Sequence, residues 1–189
     1  MIASPVHGLY GVADAGLGDP LEQFTLLVEE GVSVVQLRCK GWPSGRLLPT
    51  AVACAARART SRTRFIVNDD VDVARQVGAW VHLGQEDGET SEGHGRSTHT
   101  VAQVTACGSA LYVGFGPVFT TATKATGYDP RGLDALAEAI RVATVPVVAI
   151  GGITVENIDS VRSTGVASWA AIGAIWRSPS PREAIRRLR

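Results

Sequence analysis

At 189 residues the chain has the length of one ordinary domain, and 45% hydrophobic against 19% charged residues exclude bulk disorder. Its 18 basic and 18 acidic residues cancel, which removes the positive field a nucleic-acid binder needs but leaves room for a local phosphate site. Three cysteines without paired-thiol or zinc spacing, no apolar run of the ~20 residues a membrane span requires, and no secretory signal in MIASPVHGLYG predict a reduced, cytoplasmic protein with no membrane partner.

The first predicted strand covers residues 9–14. Asp19-Pro20 makes a good cap and first turn for a helix over 21–30, which Gly31 stops. A second strand lies at 34–39, and an alanine- and arginine-rich helix follows at 47–59. Strands at 65–69 and 81–84 come next, then a polar, glycine-rich loop at 88–95 and a weaker strand at 96–99. Residues 111–116 form a strand, 133–142 a helix and 145–151 another strand. A helix over 155–164, set between Thr154 and Gly165, leads to a last strand at 168–175 and a closing helix at 181–188.

Several of these strands are apolar and β-branched at consecutive positions, as parallel strands covered on both faces are. Strands alternating with helices leave two architectures, a closed barrel or a doubly wound sheet. The second should carry a G-x-G-x-x-G turn after its first strand, and ADAGLGD is no such turn. The expectation is therefore a single-domain α/β protein over 1–189, a parallel (β/α)₈ TIM barrel.

In such barrels the chemistry sits at the C-terminal ends of the strands. Alternation turns Gln36, Arg38 and Lys40 to one side; donors without a carboxylate suit a polyanion, although a solvated basic strand end reads the same way. Asn68-Asp69-Asp70 and, one strand on, Glu86-Asp87 put carboxylates at adjacent ends, where two could share Mg²⁺ with phosphate oxygens and water. The competing reading is that Asp69 or Asp70 caps a helix. Thr120, Thr121, Thr123 and Lys124 form an anion clamp in a loop, and bare backbone at Gly151-Gly152 and Ile172-Gly173 forms a phosphate cradle or merely tight turns. His7 and His94 fall in loops, while His82 and His99 orient strand ends, since no second histidine has ligand spacing. Two anion clusters fit a pyrophosphate on one small-molecule substrate and a monophosphate on another.

The segments LYGVAD, GVSVVQLRCK, FIVNDDVDVA, VHLGQED, STHT, YVGFGPVFTTATK, PVVAIGGI and AAIGAI, in that order over nearly the whole chain, resemble the thiamine-phosphate synthase family. The resemblance implies coupling of 4-amino-5-hydroxymethyl-2-methylpyrimidine pyrophosphate to thiazole phosphate. It implies that Gln36, Arg38, Lys40, Asn68 and Lys124 hold the pyrimidine pyrophosphate and that Ser97 contacts the pyrimidine substrate. Thr121, Thr123, Gly152, Ile172 and Gly173 would hold the thiazole phosphate, and Asp69 and Asp87 would bind Mg²⁺. Arg38, Lys40 and Lys124 would act catalytically by neutralising the departing pyrophosphate in a dissociative reaction, with no protein nucleophile; Cys39 and Cys107 would only pack.

Three departures from the family pattern stand out. The segment from Asp87 to Ser97 is short, so the fourth helix is expected to be shortened or missing, with a floppy loop beside Asp87. Trp80 replaces a usual Asp-Gly, and Gly173 replaces a usual serine. Two alternatives remain: a thiazole tautomerase-like isomerase, whose relatives carry a histidine where this chain has Pro117, and a non-catalytic thiazole-phosphate-binding barrel. Whether the chain forms a homo-oligomer is open at this level.

Overall fold

The structure, a computed structural model, describes residues 6–88, 90–121 and 127–189. Eight parallel strands close on themselves in sequence order. They are β1 (Gly8–Asp14), β2 (Val34–Arg38), β3 (Arg64–Asn68), β4 (Trp80–Leu83), β5 (His94–Thr98), β6 (Tyr112–Phe115), β7 (Val147–Ile150) and β8 (Ser168–Ala171). The ring shuts where Gly8 pairs with Ser168 and Tyr10 with Ala170.

Helices follow most strands: α1 (Pro20–Glu29), α2 (Ser44–Arg59), α3 (Val71–Val77), α4 (Val101–Thr105), α5 (Gly132–Val142), α6 (Ile158–Arg162), α7 (Gly173–Trp176) and α8 (Pro181–Leu188). Local chemistry sets their ends. Asp19 Oδ1 accepts from the Leu21 and Glu22 N–H groups at 2.8 and 2.9 Å, with Pro20 in the first turn. Thr100 and Gln103 close a reciprocal capping box on α4. Helix α3 is one that apolar periodicity did not single out; Asp70 caps it by accepting from Val73 N–H at 2.9 Å, and Gly78 ends it at φ 68°. Asp70 is thus the capping residue, and Asp69 is left for other work.

Between β4 and β5 no helix occurs among the described residues, so the fourth crossover is a loop, as the short segment implied. Several boundaries differ from expectation, and two of them bear on the site. Strand β5 begins at His94, so His94 is a buried strand residue and not part of a loop. Strand β8 ends at Ala171 and the chain turns into α7, because Gly173 opens a helical turn that buries Ile175 behind the barrel.

Side-chain alternation divides the apolar residues into two layers. Tyr10, Val12, Val34, Ile66, Tyr112 and Val148 fill the inside of the barrel. Leu9, Ala13, Val35, Leu37 and Val67 face outward against Phe24, Leu27 and the other helix residues. Each large side chain buried this way contributes about 1.5–3 kcal/mol. Space is tight enough that a Cβ at Gly11 would sit 2.7 Å from Leu27 Cδ2. The last helix is tied back by Trp169, whose indole N–H donates to the Leu188 carbonyl at 2.8 Å, and by Arg182 and Arg186, which both donate to the carboxylate of Glu30.

Candidate active site

A cavity of about 410 Å³ opens at the C-terminal ends of the strands. Gln36 and Arg38 enter it from β2, Asn68 from the end of β3 and Ser97 from β5. The opposite wall carries Thr121, Gly152, Ile172 and Gly173. Residues expected to act together but separated by up to most of the chain therefore share one space. Thr123 and Lys124 lie outside the described residues.

Arg38 is held before any ligand arrives. Its Nη1 is 2.8 Å from Asp14 Oδ2, and the two side chains are only 19% and 6% exposed. Asp14 in turn accepts from the Gly16 N–H at 2.9 Å. Asp14 lines the cavity and was not among the residues expected from the sequence, where ADAGLGD was weighed only for its glycine spacing.

Lys40, Asp69 and Asp87 stand at the rim and do not line the cavity itself. Lys40 Nζ pairs with Asp69 Oδ2 at 2.7 Å, with 69% and 36% exposure, so the pair is solvated and adds little stability. Asp69 adopts φ 65°, a left-handed conformation uncommon for a non-glycine residue. Its N–H donates to the His82 carbonyl at 2.9 Å, which fixes the strained residue against β4. Asp87 follows β4, and its Oδ2 accepts from the Gly84 N–H at 2.6 Å. Among the described residues no three His, Cys, Asp or Glu side chains gather as a complete metal cage. Two carboxylates after neighbouring strands are nevertheless the donor set Mg²⁺ takes when phosphate oxygens and water complete its shell.

The loop that carries Asp87 is held by Arg96, a buried β5 residue. Its Nη1 donates to the carbonyls of Gly84 (3.0 Å) and Asp87 (2.9 Å), and its Nη2 to that of Gly88 (3.2 Å). Gln85 Nε2 donates to the Ser97 carbonyl, and Arg75 pairs with Glu92 at 2.8 Å. A floppy loop was expected here; one guanidinium instead gathers three carbonyls. Trp80 belongs to the same adaptation: its ring lies under the Arg64 guanidinium at 4.4 Å, and a Cβ at Gly93 would come within 2.8 Å of it.

On the far wall Gly151 and Gly152 take φ 99° and 67°. A Cβ on Gly152 would sit 2.5 Å from the Thr120 carbonyl oxygen, so backbone approach there needs glycine. Arg177, just after α7, lines the same side and adds a cation that the sequence reading missed.

The floor is polar. Tyr10, Tyr112 and His82 all line it, and they link Gln36 to Ser97. Burial pushes both phenols well above the usual tyrosine range, so they stay protonated. His99 also orients a strand end: its Nδ1 donates to the Gly116 carbonyl at 2.6 Å and its ring stacks on Tyr128 at 4.2 Å. Cys39, Cys54 and Cys107 are free and buried. Burial, with Asp14 next in effect, pushes the Cys39 thiol up to about 11, and burial pushes Cys54 up to about 12. Neither is a nucleophile at neutral pH.

The family profile described as "Thiamine monophosphate synthase" matches residues 9–175. A "Thiamine-phosphate synthase" of Neisseria meningitidis serogroup B (strain ATCC BAA-335 / MC58) is 38% identical over 173 residues, which cover 85% of this chain and 84% of the relative. Another, from Synechococcus sp. (strain WH7803), is 40% identical over 94% of this chain, which spans 54% of that protein's length. Among solved structures, a "Thiamine phosphate pyrophosphorylase" from Pyrococcus furiosus superposes with a TM-score of 0.88 at 30% identity, over 96% of this chain and 93% of the other.

Proposed function

The chain belongs to the thiamine monophosphate synthase family, and from that premise we propose that it is the transferase that joins the aminopyrimidine pyrophosphate to thiazole phosphate, releasing pyrophosphate. The observation that carries this reading is the shared cavity. Gln36, Arg38, Asn68 and Ser97 stand on one side and Thr121, Gly152, Ile172 and Gly173 on the other, so two anionic substrates can meet within it.

The pyrimidine side takes the diphosphate. Arg38, oriented by Asp14, donates to its oxygens. Lys40 adds charge from the rim, and Lys124 would add a second cation to the diphosphate. Asp69 and Asp87 would hold Mg²⁺, which when bound supplies positive charge to the diphosphate oxygens. The Lys40–Asp69 contact keeps a cation and an anion at the mouth, ready to divide between diphosphate and metal.

The bond that breaks joins the pyrimidine methylene carbon to the bridging oxygen, and its electron pair leaves with pyrophosphate. The amino group donates electron density into the ring and stabilises the methylene cation. The thiazole nitrogen lone pair then forms the new carbon–nitrogen bond. Gln36 and Ser97 orient the pyrimidine, while Thr121, Thr123, Gly152, Ile172 and Gly173 anchor the thiazole phosphate and aim its ring. Positioning and charge neutralisation do the catalytic work, and no side chain forms a covalent bond. The buried thiols and the balanced charge suit a reducing, cytoplasmic setting.

Incubating the purified chain with both substrates and Mg²⁺ tests this. Thiamine phosphate and pyrophosphate should form one for one, and neither should form when either substrate is withheld. Conversion of thiazole phosphate alone, or binding without turnover of the pair, would reject the synthase reading.

A further inference from the structure

Five polar side chains from five strands are hydrogen-bonded in series across the inside of the barrel. Gln36 Nε2 donates to the Tyr10 hydroxyl at 2.9 Å, and that hydroxyl lies 2.8 Å from the hydroxyl of Tyr112. The Tyr112 hydroxyl lies 3.0 Å from His82 Nδ1, and His82 Nε2 lies 3.0 Å from Ser97 Oγ. The two ends of the series, Gln36 and Ser97, both line the cavity.

A hydroxyl has one proton to give, so donation along such a series runs in one direction. An amide nitrogen can only donate. Tyr10 therefore accepts from Gln36. A buried O–H needs an acceptor, and Tyr112 is the other hydrogen-bond partner of Tyr10 among the described residues, so the Tyr10 proton goes to Tyr112. Tyr112 gives to His82 Nδ1, and the neutral imidazole, protonated at Nε2, gives to Ser97. Ser97 is left with its own O–H for a ligand, and the Gln36 amide with its carbonyl oxygen. One end of the cavity is thus a donor and the other an acceptor. To exchange them, Gln36 must turn its amide over and every other member must reverse with it.

We infer that Tyr10, Tyr112 and His82 are positioning residues that lock a donor at Ser97 and an acceptor at Gln36, and so select a ring bearing an amine and a ring nitrogen over one bearing an oxo group and a ring N–H. The amine gives its hydrogen to Gln36 Oε1 and the ring nitrogen accepts from Ser97. An oxo ring sets acceptor against acceptor and donor against donor, and buried polar groups left unpaired are costly. Gly95 belongs to the device, because a Cβ there would lie 2.0 Å from the Tyr112 ring. The inference rests on the aminopyrimidine reading of the substrate.

The test uses two unreactive ligands, the monophosphate of the aminopyrimidine alcohol and its oxo counterpart, so that binding is read without chemistry. The parent protein should prefer the amino ligand by about a hundredfold or more. In Tyr112→Phe, which keeps the ring and cuts the series in the middle, Gln36 and Ser97 reorient separately. Its preference should fall about tenfold or more, with thiazole phosphate binding unchanged. Nitrogen NMR of His82 in the unliganded parent should show Nε2 protonated and Nδ1 bare. A ring protonated at Nδ1, or a Tyr112→Phe protein that binds thiazole phosphate normally yet keeps the full preference, overturns this inference alone. A parent that binds neither pyrimidine overturns the substrate reading and the inference with it.

Discussion

Arg38 reaches the cavity with its guanidinium already paired, 2.8 Å from Asp14 Oδ2, and Asp14 is itself fixed by the Gly16 N–H and by its place at the end of β1. Replacing Asp14 by asparagine keeps an acceptor for Gly16 but removes the charge that orients the fork. For Asp14→Asn we expect kcat/KM for the pyrimidine substrate to fall about a hundredfold, with KM for thiazole phosphate unchanged. Steady-state kinetics with each substrate varied in turn would show this, and parent-like constants would remove Asp14 from the site. Gln36 and Arg38 were legible because period-two alternation alone puts them on one face, and two donors on a strand end are conspicuous. Asp14, Tyr10 and Tyr112 were not: an acid beside glycines reads as a turn, and a tyrosine inside an apolar strand reads as core. Their roles depend on which partner lies across the barrel, and a one-dimensional pattern does not carry that.

The crossover from β4 to β5 shows how an element can be replaced. Where a helix would have satisfied its own backbone, the Arg96 guanidinium takes the carbonyls of Gly84, Asp87 and Gly88. Arg96→Met keeps the aliphatic stem and gives up those hydrogen bonds, so the segment around Asp87 should loosen. We expect faster proteolysis there and a weaker response to Mg²⁺, by about tenfold in the half-saturating concentration, with the barrel still folded. Limited proteolysis and a metal titration of turnover check the two halves; a parent-like variant in both would mean that the loop holds itself. The sequence announced the missing helix through segment length alone. It did not announce the replacement, since an arginine inside a weak strand signals nothing until its carbonyl partners are known. Likewise α3 was overlooked because its seven residues give too short an apolar stripe, although its Asp70 cap and Gly78 stop were both in view.

At the scale of the whole molecule, strand order, parallel pairing and the placing of chemistry at one end followed from seven clear strands, a weaker one at 96–99 and the absence of a dinucleotide turn. What closure adds is the meeting of distant segments, since β1 pairs with β8 and so brings Asp14 and Arg38 into one cavity with Gly152 and Gly173. The account depends on that meeting producing two anion subsites, one for a diphosphate and one for a monophosphate. Titration of inorganic pyrophosphate into the Mg²⁺-loaded protein, with and without thiazole phosphate present, measures it. We predict that pyrophosphate binds in both cases, and that Arg38→Ala weakens pyrophosphate by at least about tenfold while leaving thiazole phosphate binding intact. If the two ligands exclude one another, or if Arg38→Ala removes both from a folded barrel, there is a single anion site and the account is wrong.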